Sequence, residues 1–167
     1  MKNYSLALVE QSSKFFDDVA SMLALFRVCL REFKSEKSEP NFEDAKRELD
    51  SFIKDKNFPV YVCLDGEEPV GYMVLRIDGV IWVEQIYVKE SYRRKGVASF
   101  LYQQAEERST SLGEDTLFNY VHPNNESMIA FLKSKGYTVL NLIEIRKPYK
   151  GENPKKVIKV GDNEFDY

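Results

Sequence analysis

Residues 80–102 read in order as an apolar strand (Val80 to Val88), a polar cationic turn (Lys89 to Lys95) and the opening of a helix at Gly96. A strand that feeds a basic, glycine-containing turn at a helix N-terminus is a place to bind phosphate. The first-turn amides lack intrahelical partners, the helix dipole adds partial positive charge, and Arg93, Arg94 and Lys95 add full charges. Gly96 and Ala98 are small, so a diphosphate can lie on the backbone with no side chain between. Arg93-Arg94-Lys95 also fits an ordinary solvated turn or a nucleic-acid patch.

Composition narrows the choice. A net charge of −3 and a pI near 5.4 argue against general nucleic-acid binding. At 167 residues the chain fits one domain, 1–167, able to bury roughly 70% of its unfolded surface. No apolar run approaches the roughly 20 residues needed to span a bilayer, and Met1-Lys-Asn-Tyr-Ser has no signal-peptide character, so a cytoplasmic protein without membrane partners is expected. Cys29 and Cys63 read as buried free thiols. One histidine and no Cys-x-x-Cys argue against a transition-metal site, so no metal ligands are assigned.

Tyr4 to Val9 reads as a first strand, followed by a helix capped at Ser12 or Ser13 with apolar residues from Phe15 to Phe33 at helical spacing. Asn41, with Asp44 three residues on, opens a second helix. Its acids Glu43, Asp44, Glu48 and Asp50 would attract an amine or simply form a solvated face. Pro59 to Leu64, Val70 to Ile77 and Val80 to Val88 form an antiparallel meander through Asp65-Gly66-Glu67-Glu68 and Asp78-Gly79. A helix from Gly96 to about Leu112 then leads to a strand, Thr116 to Val121, which requires a parallel crossover. Asn125 starts a helix that Gly136 ends, Tyr137 to Lys147 is the next strand, and 148–167 carries a terminal hairpin. That hairpin seals the sheet edge or pairs with a second subunit.

Arg93-x-x-Gly96-x-Ala98, with Tyr87-Val88 and Tyr92 leading into it, resembles the first signature of the GNAT superfamily of N-acetyltransferases. Asn125 followed by Gly136-Tyr137 resembles the second. The resemblance covers 58–147 well and the N-terminal half only by element order. It implies an α/β (α+β) fold: a mixed, mostly antiparallel central sheet, a parallel strand-helix-strand crossover, and helices on both faces. It implies acetyl-coenzyme A as cofactor, held by Arg93, Arg94, Lys95, Gly96, Val97, Ala98, Ser99 and Asn125. The pantetheine arm would lie against the backbone of Ile86, Tyr87 and Val88, beside a bulge in the Val80 to Val88 strand. A homodimer is expected, as the family is often dimeric.

The implied activity is acetyl transfer to a primary amine of a small molecule, polyamine or peptide, by direct attack in a ternary complex. An ammonium has no lone pair, so a base is needed. Glu84 stands where polyamine-type members carry a glutamate base, and an acid between Val83 and Ile86 has little packing reason to be there. Backbone amides near Ile86 to Val88 would polarise the thioester carbonyl. Many members place a tyrosine four residues before the glycine of the second signature to protonate the departing thiolate; here that position is Leu132. A hydroxyl from Tyr87, Tyr120 or Ser127, water, or no acid at all would take its place. His122 reads as a turn residue. The alternative function is a non-catalytic acyl-coenzyme A binding or sensor module, which Leu132 favours. The sequence does not reveal the acceptor amine.

Overall fold

The computed structural model describes residues 3–154 and 156–167. The chain divides into two compact units, Met1–Ile129 and Ala130–Tyr167. In the first, five strands lie in the order β1 (Tyr4–Leu8), β2 (Val60–Asp65), β3 (Glu68–Asp78), β4 (Val80–Val88) and β5 (Phe118–Asn119). The first four pair antiparallel, and β5 runs parallel to β4. This is the mixed sheet with a parallel crossover that the sequence implies.

Helices α1 (Phe16–Glu32) and α2 (Phe42–Lys54) cover one face. Val19, Leu23, Leu49, Val62, Tyr72 and Val74 form the core there. Each large apolar side chain buried this way stabilises the fold by roughly 1.5–3 kcal/mol. The opposite face carries α3 (Val97–Ser111), whose Gln104, Glu107 and Arg108 border a cleft with Met73 and Leu75 of β3. Alternation along β3 thus sends Tyr72, Val74 and Arg76 toward α1 and α2, and Met73 and Leu75 toward α3.

Ends of elements follow local chemistry. Asn41 caps α2 as expected, its side-chain oxygen accepting from the Asp44 amide at 3.0 Å. α1 begins later than expected and has no side-chain cap: Ser13 instead accepts from Phe15 N–H at 3.3 Å, shaping the turn ahead of the helix. The strand expected over Thr116 to Val121 shrinks to Phe118–Asn119, because β5 ends the sheet and β4 offers it only Trp82 and Val83. Cys63 is buried, but Cys29 is only half-buried; both are free.

α4 (Glu126–Ser134) ends at Gly136, whose φ of 91° is the left-handed turn expected there. The Gly136 amide donates to the Lys133 carbonyl and the Tyr137 amide to that of Leu132. The second unit holds a hairpin of β6 (Val157–Val160) and β7 (Asn163–Asp166). The strand expected over Tyr137 to Lys147 does not form. Its apolar alternation has no ladder partner among the described residues, and Val139, Leu140, Leu142 and Ile145 stand exposed. No helix among the described residues is long and apolar enough to cross a membrane.

Candidate active site

The β3–β4 register slips at one point. Val74 pairs with Gln85, but Leu75 pairs with Val83, which leaves Glu84 as an extra residue on β4. This is a β-bulge, and it puts two consecutive side chains on one face, which a regular strand cannot do. Glu84 accepts from Arg76 Nε at 3.0 Å, and Gln85 accepts from the Tyr72 phenol at 2.9 Å, both on the α1 and α2 side. Past Val83, β4 has no further partner in β5, so the two strands part just beyond the bulge.

Gln85 is buried and links sheet to helix. Its amide nitrogen donates to Glu48 of α2 at 2.7 Å; a carboxylate only accepts, which fixes which end of the amide faces it. Arg27 of α1 grips the same carboxylate through Nε at 2.9 Å and a terminal nitrogen. Burial works against the Arg27 charge, yet the bonds and charge of Glu48 outweigh it and hold its pKa above the ordinary value. Burial likewise holds the Tyr72 phenol well above its usual range, so it remains a proton donor.

At the end of β4 the chain makes a short 3-10 turn (Glu90–Tyr92) and enters α3. Arg94 and Gly96 both adopt left-handed backbone, with φ of 61° and 91°. For arginine that conformation costs roughly 1–2 kcal/mol, which the rest of the turn must offset. The Gly96 carbonyl takes a helical bond from Phe100, leaving the Val97, Ala98 and Ser99 amides without intrahelical acceptors. Space beside Gly96 is open: a methyl group placed there would meet no atom within 4 Å. Val97 is buried and fixes the helix start, while Arg93, Arg94 and Lys95 are exposed. Arg93 Nε donates to the Val88 carbonyl at 3.3 Å. Bare amides, open space and three exposed cations fit a diphosphate, and the parting of β4 from β5 fits the thin arm of coenzyme A.

Beyond the bulge, Ile86, Tyr87 and Val88 are half-buried. The Tyr87 ring packs on the core beneath α1, and burial, reinforced by Cys29, raises its pKa. Tyr120 stacks on Trp82 with centroids 4.5 Å apart and planes 11° from parallel. Asn125 uses its side-chain oxygen on the Met128 amide at 3.1 Å, capping α4. Leu132 is buried at 7% exposure, with no hydroxyl to offer. Sequence reasoning passed over Arg27, Arg76, Trp82 and Gln85. Two adjacent polar residues, Glu84-Gln85, in an otherwise apolar strand were the available sign of the bulge.

A model described as the acetyltransferase (GNAT) family matches residues 19–137. The chain belongs to that family: it is a transferase, and acetyl-coenzyme A is its cofactor. Solved structures share its fold. The aminoglycoside N-acetyltransferase AAC(6')-Iy in complex with CoA superposes with a TM-score of 0.67 at 13% identity, over 87% of this chain and 95% of that one. The aminoglycoside 6'-N-acetyltransferase AAC(6')-IG from Acinetobacter haemolyticus gives 0.63 at 16%, over 87% and 99%. A possible acetyltransferase from Clostridium difficile 630 gives 0.64 at 16%, over 87% and 99%. A search of curated proteins found no significant match.

Proposed function

We propose that this chain acetylates a primary amine by direct attack in a ternary complex, with Glu84 as the proton acceptor. The observation that carries this is the bulge: it sets a carboxylate where β4 parts from β5, on the strand that leads to the open amides of α3. Acetyl-coenzyme A, when bound, supplies the thioester acyl group. Val97, Ala98 and Ser99 amides with Arg93, Arg94 and Lys95 hold its phosphates, Asn125 contacts it beyond them, and the Ile86 to Val88 backbone lies along its arm and polarises the carbonyl.

Arg76 engages Oε2 of Glu84, and among the described residues Oε1 takes no hydrogen bond. That oxygen is therefore the one to accept from an ammonium group and draw off its proton, freeing the lone pair. Tyr87 returns a proton to the leaving group; its raised pKa keeps the phenol protonated at neutral pH. The family match spans 19–137, across the division between the two units, which supports one acetyltransferase domain over 1–167. We place its work in the cytoplasm, where free thiols such as Cys29 and Cys63 persist, and as a homodimer.

A thiol-release assay with acetyl-coenzyme A and a panel of amines tests the proposal. Turnover of at least one amine is expected. Coenzyme A binding with no turnover across a broad panel would leave an acyl-coenzyme A binding module, the reading that Leu132 favours.

A further inference from the structure

The acceptor side of the bulge is built from paired charges and an aromatic stack. Glu84 is matched by Arg76 at 3.0 Å, and Glu48 by Arg27 through two nitrogens. Arg76 also faces Asp78 at 3.5 Å, so the cluster of Arg27, Arg76, Glu48, Glu84 and Asp78 carries a formal charge of −1, which a single ammonium balances. A polycation would bring its additional ammonium groups against two guanidiniums with no further carboxylate of this cluster to match them.

The aromatic part has an open face. Tyr120 is 60% exposed although one side of its ring lies on Trp82, so the exposure belongs mainly to the other side. Arg76 joins this stack to the carboxylate. Its guanidinium carbon lies 4.8 Å from the Trp82 ring centre and 5.9 Å from that of Tyr120, while its Nε bonds Glu84. Those contacts and one C–N bond keep the Glu84 carboxylate within about 10 Å of the Tyr120 ring centre. An aromatic ring offset on Tyr120, with an amine two or three carbons away, spans that gap, and offset stacking is the arrangement aromatic pairs prefer.

We propose that the acceptor is a monoamine carried on a short arm from a planar aromatic group, with Tyr120 as its stacking floor and Glu84 receiving the amine. This rests on the acetyltransferase reading above and adds the substrate class. It differs from what polycationic acceptors such as aminoglycosides would require.

Two measurements test it. In the first, acetylation of 2-phenylethylamine is compared with that of spermidine and neamine. The expected kcat/KM is at least about ten-fold higher for the arylalkylamine, with its KM raised about five-fold or more in Tyr120→Ala and kept in Tyr120→Phe, which retains the ring. In the second, 2-phenylethylamine is titrated without turnover while fluorescence of Trp82, the only tryptophan, is followed. Saturable quenching by 2-phenylethylamine and none by spermidine is expected. Equal or better turnover of spermidine or neamine would overturn the substrate class and leave acetyl transfer standing. If no amine turns over although coenzyme A binds, acetyl transfer fails and the titration alone decides: quenching supports the aromatic floor, and its absence overturns it.

Discussion

The phenol of Tyr4 on β1 donates a 2.9 Å hydrogen bond to the carbonyl of Lys95, 91 positions along the chain. Across a trans peptide the Lys95 carbonyl and the Gly96 N–H point opposite ways, so holding the one toward β1 turns the other away from it. The Tyr4 ring also lies 5.9 Å from that of Phe100 in the first turn of α3. β1 thus steadies both the basic turn ahead of Gly96 and the helix that it opens. Tyr4→Phe keeps the ring and removes the bond. Coenzyme A affinity is expected to fall about three- to ten-fold, equivalent to roughly 1 kcal/mol, with little change in thermal midpoint. Calorimetric titration checks it, and an unchanged Kd would show that the turn holds itself.

Gly71 lies opposite Val88 in the sheet, and a Cβ there would stand 2.8 Å from the Tyr87 carbonyl and 3.1 Å from the Val97 side chain. Backbone cannot give way as a flexible side chain can. Gly71→Ala should destabilise the protein by roughly 1–3 kcal/mol and disturb the end of β4 that is proposed to meet the cofactor arm. The denaturant midpoint measures the first effect and coenzyme A affinity the second; a variant equal to wild type in both would refute the close approach.

Gln85 is the shared partner of Tyr72 and Glu48. Gln85→Leu leaves the buried Tyr72 phenol without its acceptor, at a cost of about 1–3 kcal/mol. Adding Tyr72→Phe removes the stranded hydroxyl and should recover part of that loss. A double-mutant cycle with strictly additive effects would deny the coupling.

Much of this was legible beforehand, and the pattern of misses is physical. Gly96, Ala98 and the cations before them can be read as one turn with open amides because that turn is built from neighbours in sequence. The Asn41 cap and the β2–β3 turn are equally local. Arg27, Glu48 and Gln85 come from three separate elements, and only the packing of α1 and α2 on the bulge unites them. Glu84 stands out by its place in the family resemblance and as an acid with little packing reason to lie between Val83 and Ile86, while the bulge that turns it toward Arg76 depends on register with β3. Tyr137 to Lys147 misled for the converse reason: alternation expresses β preference, but a strand also needs a neighbour.

His122 stacks on Phe33 with centroids 5.7 Å apart, and its Nδ1 accepts from the Asn124 amide at 3.3 Å. Burial, and then the charge of Lys34, lower its pKa below the usual 6.5. The unfolded chain therefore takes up this proton at higher pH than the folded one. The associated stability is fully present above about pH 6.5 and is lost as pH falls from there through the lowered folded value. Melting curves from pH 7.5 down to 5 should show wild type losing more stability than His122→Phe, which keeps the ring stack. Parallel curves would exclude the histidine.

The most direct test is Glu84→Gln, which keeps size and hydrogen bonding but removes the proton acceptor. With an amine that wild type acetylates, kcat/KM should fall by roughly 10²- to 10⁴-fold while coenzyme A still binds as wild type. A variant that turns over within a few-fold of wild type would contradict the account, because the carboxylate at the bulge would then play no part in freeing the amine.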